Sequence, residues 1–167
     1  MKVSGCGIIP ISMKNNKLYV FCGFENGCLS DLGGKINSNE DYKLCAAREF
    51  YEESVGLLLP YQELVTIKTY KRLKIGSKKC YLSYIIKVPY KEVDDEYQKM
   101  LDYIEENNCQ PKKMNFHKYN LDMLYEDKIY PEGFFELESL CWIPLEDLKN
   151  NKYKLRNRFK ELIRMLK

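Results

Sequence analysis

Histidine is nearly missing from this chain, and the shortage narrows the available chemistry. His117 stands alone among 167 residues, which removes most zinc sites and every Ser-His or Cys-His nucleophile pairing. Any metal must therefore be held by carboxylates. His117 lies in the polar stretch Pro111–Asn120 and is expected to be a solvent-facing loop residue. The cysteines at 6, 22, 28, 45, 80, 109 and 141 are odd in number and scattered, without a C-x-x-C pair or zinc-like spacing. A reducing, intracellular setting is expected. Apolar runs that approach the ~18–20 residues needed to span a bilayer are also lacking, and Met1-Lys2-Val3-Ser4-Gly5 does not open a secretory signal. The expectation is a cytoplasmic protein without a membrane partner. No internal repeat or low-complexity tract interrupts the sequence.

What is present suffices for one core. The length suits a single domain over 1–167, with 45% apolar and 31% charged residues. Residues 3–12 and 17–24 are partly β-branched runs around Lys14-Asn15-Asn16-Lys17, the pattern of a hairpin. A glycine-containing loop leads to a helix beginning near Asp41 or Tyr42, with Ser38 and Asn39 available as N-caps and Gly56 as its left-handed end. Within that helix Leu44, Ala46 and Phe50 are expected to be core contacts. Residues 63–73 and 79–88 are expected strands joined at Gly76-Ser77, and 93–107 an amphipathic helix. Residues 109–132 turn polar and irregular, so an insertion at about 90–132 is a candidate lid or plain surface decoration. Strand character resumes over Phe134–Ile143, where Trp142 is expected to pack. Pro144 then opens a short helix, and a last helix over 155–167 aligns Leu155, Phe159, Leu162, Ile163 and Leu166 to dock on the sheet. The order predicts an α+β layered domain with a mixed sheet.

One segment carries chemistry. Gly34-Lys-Ile-Asn-Ser-Asn-Glu40, seven further residues, then Arg48-Glu49-Phe50-Tyr51-Glu52-Glu53 form the pattern G-x₅-E-x₇-R-E-φ-x-E-E. Six such fixed positions coincide by chance with odds on the order of one in 10⁵ in a chain of this length. At about 100° per residue, Glu52 and Glu53 lie roughly 60° and 40° either side of Glu49. Three carboxylates therefore share one sector of a helix, with only Arg48 placed to pair, at i+4 to Glu52. Hard oxygen donors without nitrogen or sulfur suit Mg²⁺ or Mn²⁺, ions that also bind phosphates. Gly33-Gly34 just upstream lets backbone come close to an ion or a phosphate.

Segment 34–56 resembles the Nudix box, the signature of the Nudix hydrolase superfamily. The likeness extends more weakly to the opening hairpin, to Leu32-Gly33-Gly34-Lys35, and to Phe134-Phe135-Glu136 with Trp142-Ile143-Pro144-Leu145. It implies an α/β/α sandwich and Mg²⁺-dependent hydrolysis of a phosphoanhydride bond. It implies Glu52, Glu53 and the Gly33 carbonyl as metal ligands, Glu49 as ligand or general base, Arg48 holding Glu52, and Gly34 and Glu40 in support. The family places its closing glycine where this chain has Val55; with Gly56 one later, a helix one residue longer is expected. A further ligand or base often comes from outside the box in this family. Alternation along the expected strand admits both Glu136 and Glu138, and Glu136 is favoured.

Substrate marks are sparse. The proline of ADP-ribose hydrolases is replaced by the region Lys71-Arg72-Leu73, and Tyr70 misses the spacing of the tyrosine in dinucleoside polyphosphate hydrolases. Lys35 or Arg72 is expected to offset phosphate charge. The basic tail (Lys149, Lys152, Lys154, Arg156, Arg158, Lys160, Arg164) suits a polyanion or a solvated helix face. Expected partners are thus a diphosphate-containing nucleotide or capped RNA, with no DNA. Diphosphoinositol polyphosphates, dinucleoside polyphosphates and a non-catalytic nucleotide- or RNA-binding module are the alternatives.

Overall fold

The β-branched opening runs form a long hairpin in the computed structural model, which describes residues 2–167. Strand β1 (Lys2–Lys14) turns into β2 (Lys17–Glu25) through Asn15 and Asn16 at φ 49° and 59°. Two consecutive left-handed residues give a turn whose twist matches that of the strands, and asparagine tolerates that conformation. Short strands β3 (Cys28–Ser30) and β4 (Leu32–Lys35) follow, then helices α1 (Tyr42–Ser54) and α2 (Tyr61–Thr66). Strands β5 (Thr69–Ile75) and β6 (Lys79–Lys87) come next, the latter followed by helix α3 (Asp94–Asn107). The seven-stranded sheet runs β3-β2-β1-β6-β5, with β4 beside β1 and β9 (Ser139–Pro144) beside β2. Only β1 and β6 pair in parallel within it, so the sheet is mixed.

Central β1 is covered on both faces, and its alternation sorts the core into two halves. Cys6 and Ile8, with Phe21, Cys80 and Leu82, pack under α1 and α3. Ile9 and Ile11, with Val20, Cys22 and Ile85, pack under α5 (Leu145–Lys149) and α6 (Asn157–Met165) through Leu148, Phe159, Leu162 and Ile163. The result is the expected sandwich of helices on either side of a mixed sheet. β6 lies between β1 and β5, as its apolar character required.

Three local expectations are corrected. Residues 61–66 are helical rather than the start of a strand, because the Pro60 carbonyl accepts from both Glu63 N and Leu64 N and a single residue, Leu64, needs burial. The stretch 134–138 is not strand: Gly133 and Phe135 adopt φ 90° and 60°, and β9 begins only at Ser139. The region 109–132 is ordered more than its polarity suggested. Strand β7 (Gln110–Lys112), a 3₁₀ turn at Phe116–Lys118, helix α4 (Leu121–Tyr125) and β8 (Ile129–Pro131) fill it, with β7 and β8 in a parallel pair.

Candidate active site

Helix α1 is capped by Asp41, whose carboxylate accepts from Lys43 N at 2.8 Å and Leu44 N at 3.3 Å. Ser38 and Asn39 do not cap it; Asn39 sits at φ 62° in the preceding loop. Cys45, Ala46, Ala47 and Phe50 are fully buried against the sheet. Leu44, expected in the core, is exposed, because it lies on the opposite side of the stripe. At the other end Val55 itself takes the left-handed conformation, at φ 46°, with Gly56 at φ 71° after it. The helix is therefore not lengthened: the valine occupies the position expected of a glycine, held there by burial of its side chain.

The stripe that packs α1 leaves Arg48, Glu49, Glu52 and Glu53 along one border of the helix. Arg48 is their hub. Its Nε and Nη2 grip both oxygens of Glu40 at 2.7 and 3.0 Å, its Nη1 donates to Glu49 at 2.9 Å and Glu52 at 3.2 Å, and Nη2 reaches the Lys35 carbonyl at 3.1 Å. The fork-to-fork pair with Glu40 is the strong geometry for this ion pair. Its hydrogen bonds hold the Glu40 carboxyl below the usual range. One guanidinium therefore ties the loop after β4, through Glu40, to the helix.

One cation among these acids leaves negative charge unbalanced. Burial is the first cause that pushes Glu49 up, ahead of opposition from Arg48. Burial likewise brings Glu52 to about 7. Glu53 turns inward from the other two and accepts the Gly33 N–H at 2.7 Å; burial pushes it well up, with Asp31 and Glu49 adding to the effect. Gly34 explains how these groups come so close. A Cβ there would lie 2.3 Å from a Glu49 oxygen, so only glycine lets that carboxylate rest on the backbone. Gly33 is equally constrained, since its Cβ would meet the Tyr81 hydroxyl at 2.1 Å and Gly7 Cα at 2.4 Å.

Oxygen-only donors, an excess of negative charge and the side-chain-free cradle at Gly34 fit a hard divalent cation. Among the described residues no three acidic, cysteine or histidine side chains already stand at coordinating positions. Glu49 and Glu52 lean on Arg48 while Glu53 is turned onto Gly33. The one sector expected from helix geometry is thus split two and one.

The remaining expected residues scatter more. Glu136 and Glu138 do not share a strand face, since their segment is a loop. Glu138 accepts from Asn26 N at 2.8 Å, at the β2–β3 turn. Glu136 instead contributes repulsion to Glu49, and its own carboxyl is pushed up by burial. Lys35 is exposed at the end of β4, beside Arg48. Arg72 lies on β5 across from Tyr84 and is not brought to the carboxylates. Trp142 packs as expected, on Phe21 and Tyr90, and donates to the Lys91 carbonyl at 2.8 Å. His117 is exposed as expected, but its ring lies 4.7 Å from that of Tyr61.

The basic tail is partly consumed within the fold. Lys152 pairs with Asp147, Arg156 with Glu25, and Arg158 with Asp31. Asp31 is the residue that local pattern reading passed over. An acid between Leu29 and Leu32 in two short strands must have a buried partner, and that signal was available. Also unforeseen is a ring cluster of Tyr51, Tyr61, Phe116 and Phe134, which brings α1, α2 and the insertion together beside Glu52. Gly133 closes this wall, its Cβ position 3.6 Å from a Glu52 oxygen.

No family profile matches the chain, and no curated protein matches it by sequence. Solved structures do. The C. elegans Ap4A hydrolase in a binary complex is 13% identical with a TM-score of 0.53, covering 97% of this chain and 93% of its own. The M. smegmatis Nudix hydrolase RenU is 10% identical at a TM-score of 0.55, covering 98% and 83%. The NUDIX domain of Shewanella oneidensis NrtR, complexed with ADP ribose, is 13% identical at 0.55, covering 98% and 85%. Sheet order, helix placement and these likenesses agree: the chain has the Nudix fold.

Proposed function

We propose that this protein is a divalent-cation-dependent Nudix hydrolase that cuts a phosphoanhydride bond in a nucleoside diphosphate-linked substrate. The observation that carries the reading is Arg48 joining Glu40, Glu49 and Glu52 beside the Gly33-Gly34 backbone, in an arrangement still short of positive charge. Glu49, Glu52, Glu53 and the Gly33 carbonyl would hold Mg²⁺ or Mn²⁺. The cation supplies charge neutralisation at the phosphate oxygens and acidifies water. Arg48 orients Glu49 and Glu52, Lys35 meets a phosphate from the loop side, and Glu49 or Glu136 takes the proton of the attacking water.

A nucleotide is favoured over a diphosphoinositol by the rings of Tyr61 and Phe116, which border Tyr51, and of His117 beside them, which offer a base a surface to stack on. Capped RNA fits this surface together with exposed Lys112, Lys113 and Lys118. Dinucleoside polyphosphates are the second reading, supported by the Ap4A hydrolase likeness. A non-catalytic module is disfavoured by the full set of carboxylates. The test is a panel of capped RNA, nucleoside triphosphates, nucleotide sugars, dinucleoside polyphosphates and diphosphoinositols with Mg²⁺ or Mn²⁺, run on the unaltered chain and on Glu52→Gln. Turnover of one nucleotide class that falls to background in Glu52→Gln, with circular dichroism unchanged, supports the reading. Full activity in the variant refutes it.

A further inference from the structure

Behind the candidate cation site, on the opposite face of the sheet, lies a second charged cluster. Asp31 is 3% exposed, and its Oδ1 accepts from Arg158 Nε at 3.3 Å and Nη2 at 3.2 Å. The Arg158 guanidinium stacks 3.8 Å above the ring of Tyr81, which is itself buried. Tyr81 reaches from β6 across a floor of glycines: its ring atoms come to 3.0 Å of the Cβ position at Gly5, and its hydroxyl to 2.2 Å of that at Gly7 and 2.1 Å of that at Gly33. Asp31 Oδ2 approaches the same Gly7 position at 3.0 Å, so the carboxylate and the Tyr81 hydroxyl lie side by side, both buried. An ion pair and a phenol buried together over one stretch of bare backbone need a reason beyond packing.

The reason is what that backbone does. Asp31 and Gly33 fall on the same face of one short segment, two residues apart, and Gly33 N–H is the group that fixes Glu53 at 2.7 Å. We propose that Asp31, Arg158 and Tyr81 are positioning residues that clamp the Gly33 backbone from behind and balance the charge beside Glu53, making helix α6 part of the cation site. This rests on the reading of Glu53 and Gly33 as cation-holding groups. Arg158 is delivered by the docking of α6 through Phe159, Leu162 and Ile163, so the clamp closes only when the C-terminal helix is seated. Outer partners of this kind orient ligands, and their loss lowers metal affinity ~10–100-fold.

The test is direct Mn²⁺ binding to the full chain, followed by electron paramagnetic resonance and set beside thermal melting. Arg158→Gln should weaken Mn²⁺ binding ~10–100-fold, lower kcat at subsaturating Mn²⁺ and leave the substrate KM at saturating metal unchanged. Arg158→Lys, which keeps the charge, should recover part of the affinity. If Arg158→Gln does not fold, the double variant Asp31→Asn with Arg158→Gln removes both charges and tests the same loss. Unaltered Mn²⁺ affinity in folded variants, whatever their melting temperature, overturns this proposal alone. Failure of the unaltered chain to bind Mn²⁺ overturns both this proposal and the cation-dependent reading on which it rests.

Discussion

Arg48 and Arg158 each anchor a carboxylate cluster, one on either face of the same sheet, and the two are built to opposite plans. Arg48 draws its acids from its own neighbourhood, the farthest eight residues away, and faces three of them with one charge. Arg158 reaches an acid 127 residues earlier and balances it one to one. A balanced buried pair can brace the backbone beside it, whereas a part-buried cluster with surplus acids has charge left for a cation to neutralise. Charge imbalance therefore tells the proposed cation-holding groups from the residues that brace them better than burial does.

Breaking the two arginines should show the difference in how much stability each loss costs and in whether saturating metal restores turnover. Arg158→Met leaves Asp31 buried without a partner and should cost about 3–5 kcal/mol of stability, measured by urea denaturation. A loss below 1 kcal/mol would show that water, not Arg158, satisfies Asp31. The next largest effect concerns pH. Glu52 is raised to about 7, first by burial, so its contribution favours folding below about 4.5 and is lost as pH rises through about 7. At 1.36 kcal/mol per unit, that is up to about 3 kcal/mol of destabilisation at pH 8 in the absence of metal. Glu49, Glu53 and Glu136 shift in the same direction. Mg²⁺ should therefore raise the melting temperature more at pH 8 than at pH 5, since it competes with protons for the same oxygens. Equal stabilisation at both pH values would remove these carboxylates from the cation site.

Arg48→Met should have a smaller effect on stability, about 1–3 kcal/mol, because its part-buried acids can take up protons once the cation is gone. Its effect on turnover should be ~10–100-fold, as for the loss of a group that orients ligands. Phosphate release at saturating Mg²⁺ measures it, and wild-type turnover would show that the hub only fastens the loop.

The same contrast explains what the sequence revealed. The hairpin, α1, α3 and β6 follow from periods of two and 3.6 over long runs, and the acids around Arg48 follow from spacing along one helix. Asp31 with Arg158 could not be paired by any local rule, which is why the basic tail looked like a surface for polyanions. Where elements were misjudged, short-range hydrogen bonds prevailed over pattern: the Pro60 carbonyl started α2, and Asp41 outcompeted Ser38 and Asn39 as the cap. The loop at 134–138 has strand-like residues but turns at Gly133 and Phe135, so Glu136 comes within charge range of Glu49 by a route that alternation did not describe.

Val55 is where the local plan of α1 is strained, and it supplies the smallest and sharpest test. A β-branched residue at φ 46° carries roughly 1–2 kcal/mol of conformational strain. Val55 as a whole is 8% exposed, and burying its side chain contributes a roughly similar amount, ~1.5 kcal/mol or more. Val55→Gly relieves the first and forfeits the second, while also adding entropy to the unfolded chain. The net change should stay within about 1 kcal/mol, so Mg²⁺-dependent turnover should hardly move if Glu52 and Glu53 keep their places. Val55→Ala separates the terms, since it loses most of the buried surface and keeps the strain; it should be less stable than Val55→Gly by denaturant midpoint. The reverse ranking would mean that the left-handed turn at the end of the helix carries little strain, and that valine is there for packing alone.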